Sequence, residues 1–199
     1  QKSGGEKGYV RGEDLAMVEA EARRIAHQRG AFLVDQFVRR DNVLAHATGT
    51  AREIIKQTGG LFDGFCDFLG TGGTFAGCAE TFKAELQTIR TYAIEPEGAS
   101  VIAGKSICCA EHPIQGGGYA RALPLVDKRL IDSFETVTGE QAIFWARHLA
   151  QKEGIFGGYS AGANVAVAAR LLQGEMKGKT IVTMICDTGL KYLSTDLWD

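Results

Sequence analysis

No apolar run in this chain approaches the length of a membrane-spanning helix, so a helical membrane protein is excluded. Net charge is also scarce: 22 Lys and Arg stand against 24 Asp and Glu, and the basic residues are scattered. That near-balance gives no electrostatic footing for nucleic acid or an anionic membrane as a partner. Cysteine spacing is irregular. Cys66, Cys78, the pair Cys108-Cys109 and Cys186 form no CxxC pattern, so no metal site is expected. Reduced, partly buried thiols in a reducing compartment such as the cytoplasm are the expectation. The polar, glycine-rich start Gln1–Gly8 excludes a signal peptide at this end. There is no internal repeat and no long low-complexity tract.

Glycine is what the chain has in quantity. There are 26 glycines and only 3 prolines, with the glycines grouped at 70–73, 116–118 and 157–162. Grouped glycine marks loops that approach something closely, because a side chain would hold the backbone away.

Periodicity supplies the elements around these groups. Residues 12–29 place Leu15, Val18, Ala22, Ile25 and Ala26 on one helical face, with Gly30 as the stop. Residues 31–37 read as an extended piece and 43–57 as a helix ended by Gly59-Gly60. A strand at 64–69 precedes a helix at 74–86, and a strand at 89–95 closes at Pro96. A short helix is expected at 98–104, then irregular chain to residue 130. A strand at 134–138 leads into a helix at 139–153, with Thr138 and Gln141 spaced as a capping box. A helix at 161–173 and a buried strand at 180–186 complete the series. Strands alternating with helices over short connections predict an α/β fold, a parallel sheet covered by helices on both faces. Ligands bind such sheets at the carboxyl ends of the strands.

Two glycine groups carry chemistry. In "GFCDFLGTGGTFAGC" the glycines Gly70, Gly72 and Gly73, with Thr71 and Thr74, lie between a strand and a helix. Unpaired N–H groups at a helix start and small side chains make this a phosphate cradle, or else a tight turn without ligand. It lacks the lysine of GxxxxGK[ST], and Phe75 stands where GxGxxG needs its last glycine. In "GGYSAGAN", Ser160 either presents its hydroxyl to a ligand or caps the helix that follows. Gly158-Tyr159-Ser160-Ala161-Gly162 also fits GxSxG. All four histidines (His27, His46, His112, His148) precede Ser160, however, and the α/β-hydrolase order needs one after it.

Seven pieces stand in order: "DQF" at 35–37, "HATGTAREI" at 46–54, "GTGGTFAG" at 70–77, "AIEPEGASVIAG" at 93–104, "HPIQGGG" at 112–118, "EGIFGGYSAGAN" at 153–164 and "CDTGLKYLST" at 186–195. As a set they resemble the cysteine synthase and cystathionine β-synthase family of fold-type II pyridoxal phosphate (PLP) enzymes. The resemblance runs almost the length of the chain. It implies the tryptophan synthase β-like fold, incomplete at its N-terminus. Residues 1–36 would be a remnant of the smaller domain and 37–199 the larger, cofactor-binding one. It implies that Gly70, Thr71, Gly72, Gly73 and Thr74 hold the cofactor phosphate and that Ser160 hydrogen-bonds the pyridine nitrogen. Gln36 would bind the substrate carboxylate, and Gly116 would lie in the substrate-side loop. A neutral hydroxyl at the nitrogen makes the ring a weaker electron sink than an aspartate would, which favours β-elimination over transamination.

The implied activity is β-replacement on an activated serine, O-acetylserine or O-phosphoserine, to make cysteine. Cystathionine β-synthase-like, 2,3-diaminopropionate-forming and serine/threonine dehydratase activities are the alternatives, beside a non-catalytic binding fragment. "TAREI" resembles the cystathionine β-synthase branch and "KYLST" the cysteine synthase branch. An amino-acid substrate, a homodimer and the C-terminal tail of serine acetyltransferase are the implied partners. The family's Schiff-base lysine, in a Ser-x-Lys context, has no counterpart here, and Lys128 in "LVDKRLID" is not assigned to it. The chain therefore reads as the C-terminal portion of such an enzyme, inactive alone. Cys186, where proline often stands in the family, and Asp187 beside it are departures placed to affect the ring nitrogen.

Overall fold

The computed structural model describes residues 12–86 and 88–199, so the reading of Gln1–Gly8 and the first part of the 1–36 segment lie outside the described residues. Helix α1 (Gly12–Arg29) is followed by α2 (Arg40–Ala45), a π-helical turn (His46–Thr50) and α3 (Ala51–Thr58). Next come β1 (Gly64–Phe68), α4 (Gly73–Glu85), β2 (Arg90–Pro96), β3 (Ser133–Val137), α5 (Gly139–Glu153), α6 (Tyr159–Gln173) and β4 (Ile181–Thr183). The four strands form one parallel sheet in the order β3-β2-β1-β4.

Burial explains the layering. β1 is buried along its whole length, and its alternate side chains feed two separate cores. Cys66 and Phe68 pack with Tyr92, Ile94 and the small residues Ala142, Ala146, Ala163 and Val167 of α5 and α6. Phe65 and Leu69 pack with Phe75, Cys78 and Phe82 of α4. Helices therefore cover both faces, as the alternation of elements predicts. α2 docks on α4 through buried Val43 packed with Ala76 and Leu125, and at the exposed rim Arg40 pairs with the Glu80 carboxylate at 2.9 and 3.0 Å.

The capping box at α5 forms as expected. Thr138 Oγ1 accepts from the Gln141 N–H at 3.1 Å, and Gln141 Oε1 accepts from the Thr138 N–H at 3.0 Å. Glycines 30, 59 and 154 end their helices in the left-handed conformation. α1 forms where expected, but its apolar stripe is only partly covered: Leu15, Ala22 and Ala26 are half-buried, whereas Val18 is 66% exposed.

Three expectations are corrected. Residues 98–104 form turns, not a helix, because the buried Glu95 carboxylate takes the N–H groups of Ile102 and Ala103, each at 2.9 Å. The strand expected at 180–186 is shorter and only half-buried. It pairs with β1 on one side, and the Asn164 amide takes the Met184 carbonyl at 2.8 Å, drawing the chain off the ladder. Finally, Gly158 is the N-cap of α6, so Ser160 sits inside the first helical turn and does not cap it.

Candidate active site

The strand-to-helix turn after β1 is shaped by its glycines. Gly72 is the N-cap of α4 and takes φ +84°, where a β-carbon would be strained and would collide with Val126. Gly73 opens the helix against the Asn42 side chain, with no room for a β-carbon. The Asn42 Nδ2 donates to Thr71 Oγ1 at 2.9 Å and to the Gln36 carbonyl at 2.8 Å, tying the loop to the segment before α2. Thr71 Oγ1 also accepts from the Gly73 N–H at 3.3 Å. Thr74 Oγ1 lies 3.2 Å from His46 Nε2, and burial lowers the pKa of that imidazole, favouring its neutral form.

The glycine loop at 116–118 folds over this turn. The Gly118 N–H donates to the Leu69 carbonyl at 3.1 Å, and a β-carbon on Gly70 would lie 2.9 Å from the Gly116 carbonyl oxygen. From the other side α6 brings Ser160, while the segment after β4 brings Cys186 and Asp187. Cys186 Sγ accepts from Asn164 Nδ2 at 3.7 Å and lines the cavity beside Ser160. Asp187 Oδ2 accepts from the Tyr192 hydroxyl at 2.6 Å and faces Lys191 Nζ at 3.5 Å, whereas Oδ1 is buried without a partner.

These pieces enclose one cavity of about 270 Å³, lined by Gly70, Thr71, Gly72, Thr74, Gly116, Ser160 and their neighbours. It lies at the carboxyl end of β1, where α/β sheets bind ligands. A larger open groove of about 650 Å³ runs along α5, lined by Ile143 and Phe144 with Arg147, His148 and Gln151, and contains none of the expected site residues. Of the expected site residues, Gly73 supports the cavity from behind and Gln36 stands exposed outside its lining. Lys128 is exposed and outside the lining as well. Asn42, Asp67, Lys191 and Tyr192 join or brace the site without having been singled out from the sequence. Lys191 and Tyr192 lay in a quoted motif and Asp67 in the stretch quoted for the glycine turn, but no local pattern marks Asn42 or Asp67 as site residues.

The cavity suits a phosphorylated aromatic group. One end offers the N-terminus of a 13-residue helix, threonine hydroxyls and glycines that clear the approach. The other end offers a single hydroxyl on a second helix. Residues 3–187 match the family described as pyridoxal-phosphate dependent enzyme. The chain belongs to this family. Its cofactor is PLP, and the cradle, hydroxyl and cavity fit that group.

Among curated relatives of this PLP family, cysteine synthase B of Campylobacter jejuni is 38% identical over 168 residues, covering 84% of this chain and 55% of the relative. The solved O-ureido-L-serine synthase superposes with a TM-score of 0.85 at 34% identity, over 90% of this chain and 57% of that one. The O-acetylserine dependent cystathionine β-synthase of Helicobacter pylori gives 0.85 at 31% identity, over 94% and 60%. The chain thus spans a little over half the length of the relatives it matches.

Proposed function

We propose that this chain is the cofactor-holding part of a PLP-dependent enzyme that performs β-replacement on an activated serine, O-acetylserine or O-phosphoserine, to make cysteine. The observation that carries the proposal is the convergence of the Gly70–Thr74 helix start, the Gly116 loop and the Ser160 hydroxyl on one cavity. Bound there, PLP supplies an electron sink for charge developing at the substrate α-carbon. The residues of this chain position it. Gly70–Thr74 bind the phosphate through backbone N–H groups and threonine hydroxyls, and Asn42 holds Thr71 in place. Ser160 hydrogen-bonds the ring nitrogen without itself carrying a charge. Gly116 keeps the substrate side open. Gln36, whose backbone carbonyl accepts from Asn42, is assigned to the substrate carboxylate. The lysine that anchors the cofactor belongs to the part of the relatives' length that this chain does not span.

That last point is the sharpest. Lys191 lines the cavity, paired with Asp187. The chain is incubated with PLP, reduced with borohydride and mapped by peptide mass. The expected outcome is bound PLP with no modified lysine. A modified Lys191 overturns the assignment of the anchor to a separate segment. For the full polypeptide, product analysis with sulfide, homocysteine and amine acceptors separates cysteine synthesis from the cystathionine- and diaminopropionate-forming alternatives. Release of a keto acid without an acceptor identifies a dehydratase.

A further inference from the structure

A carboxyl group stands at the fourth position of β1, in the middle of a strand whose every residue is buried. Asp67 is 4% exposed, flanked by Cys66 and Phe68, and lines the same cavity as Ser160. A buried ionised carboxylate costs several kcal/mol unless it is paired. No ion pair involves Asp67 among the described residues, and the one lysine of the cavity lining is engaged by Asp187. Its polar neighbours are instead neutral, the Asn164 side chain and the Phe68 backbone N–H, and these are bonded to each other at 2.7 Å. Nothing about packing requires this arrangement, since an apolar residue would fill the position at no electrostatic cost.

The connections of Asn164 indicate how the cavity wall is held. This amide is fully buried on α6, one helical turn beyond Ser160. Its Oδ1 accepts from the Phe68 N–H at 2.7 Å, and its Nδ2 donates to the Met184 carbonyl at 2.8 Å and to Cys186 Sγ at 3.7 Å. Cys186 lines the cavity together with Asp67 and Ser160. Asn164 and Cys186 therefore back the wall in which Asp67 and the hydroxyl at the ring end face one cavity.

We propose that Asp67 is a positioning residue which, across the cavity it shares with Ser160, sets the charge near that hydroxyl, so that the proton affinity of the PLP ring nitrogen follows the ionisation of Asp67. The inference rests on the PLP reading above. With Asp67 protonated, the ring end behaves as the weak sink that a lone serine implies. With Asp67 ionised, a negative charge in a low-dielectric cavity raises the affinity of the nitrogen for a proton and strengthens the sink.

The groups around Asp67 leave it as the titrating member in the neutral range. Burial pushes the thiols of Cys66 on β1 and Cys78 on α4 up to about 12, so both stay protonated. The Cys186 thiol is also pushed upward, by the enclosing walls first and by Asp67 second, although the residue keeps surface open to the cavity mouth. Desolvation first, then the Asp187 contact, pushes the Tyr192 phenol upward. Asp187 and Lys191 face the cavity as an opposed pair. Asp67 itself is pushed up to about 7 by burial.

The test uses the PLP-loaded full-length polypeptide. The absorption of the bound cofactor is followed across the neutral pH range in the native protein and in Asp67→Asn, which keeps shape and removes the charge. The expected result is a spectral transition near the Asp67 midpoint that is lost in the variant. An unchanged midpoint in Asp67→Asn overturns the inference while leaving the PLP reading intact. A native protein that holds no PLP overturns the PLP reading, and the inference with it. In case the variant does not fold, the native protein labelled with carbon-13 aspartate is titrated in the infrared. A protonated aspartate band that disappears through neutrality supports the assignment. Aspartates ionised throughout overturn it.

Discussion

In the proposed reading, the phosphate end of the cavity is built by five consecutive residues, Gly70 to Thr74, and by the helix they open. At the ring end it is assembled from Asp67 on β1, Ser160 and Asn164 on α6, and Cys186 with Asp187 beyond β4. The first end uses backbone donors and threonine hydroxyls, with the one imidazole beside it, His46, held toward its neutral form by burial. The second places two carboxyl groups and a thiol around one hydroxyl. A phosphate carries a fixed charge and needs fixed donors, whereas a ring nitrogen has a proton that can be held or released. The difference implies that the phosphate end is set by backbone geometry and the ring end by ionisation.

The largest effect that would break this comparison is a pH dependence of stability absent at the ring end. Asp67 is raised from 3.8 in the unfolded chain to about 7 in the fold. Its contribution to stability is fully present below the unfolded value and is lost as pH rises through the folded one. The loss reaches at most about 4 kcal/mol, since a tenfold change in proton affinity corresponds to about 1.4 kcal/mol. Urea unfolding at a series of pH values should show stability falling between pH 3.8 and about 7 in the native protein. Asp67→Asn should lose that component of the slope.

Next in size is Asn164→Leu, which removes the junction of the ring end. It leaves the Phe68 N–H and the Met184 carbonyl buried without their partner. An orphaned buried group costs about 1–3 kcal/mol, so a combined loss of about 3 kcal/mol is expected in denaturant unfolding. A loss below about 1 kcal/mol, within the range of a surface change, would show that the amide is not the junction.

These two effects also mark what the sequence made legible. The Gly70–Thr74 loop is visible because helix start, small residues and donors are contiguous in the chain. Thr138 and Gln141 are visible for the same reason. Asp67 sits in "GFCDFL", where a single acidic letter inside an apolar strand does not interrupt the pattern, and Ser160, which shares its cavity, is 93 positions away. Asn42 braces Thr71 from 29 positions away. Periodicity reports which face of an element is apolar, not which polar side chains meet across the sheet. The same limit explains the helix wrongly expected at 98–104: its spacing is helical, but Glu95 captures its N–H groups. The strand expected to continue through 184–186 fails likewise, because Asn164 takes the Met184 carbonyl.

A smaller effect sharpens the comparison from the phosphate end. Gly72→Ala puts a side chain at φ +84°, against Val126. A left-handed residue costs about 1–2 kcal/mol, so PLP affinity should fall by about tenfold if the loop relaxes to relieve the strain. The pH dependence of the bound cofactor spectrum should stay as it is in the native protein, because the ring end is untouched. A shifted pH midpoint in Gly72→Ala would mean that the two ends are coupled through the cofactor and are not set independently. Equilibrium titration with PLP, monitored by quenching of protein fluorescence, gives the affinity, and the spectrum is read on the same samples.

The smallest effect is the control that separates stability from binding. Thr138→Ala removes the hydroxyl that accepts from Gln141 and leaves the first turn of α5 with an unpaired donor. Loss of such a cap costs about 1 kcal/mol. Thr138 lies outside the cavity lining, at the start of the helix that packs behind α6. Thermal unfolding should therefore shift downward while PLP affinity and the pH midpoint remain at their native values. If Thr138→Ala weakened PLP binding as much as Gly72→Ala does, the loss in the loop variant would be a general consequence of destabilisation. Unchanged binding in Thr138→Ala assigns the Gly72→Ala effect to the geometry of the phosphate loop.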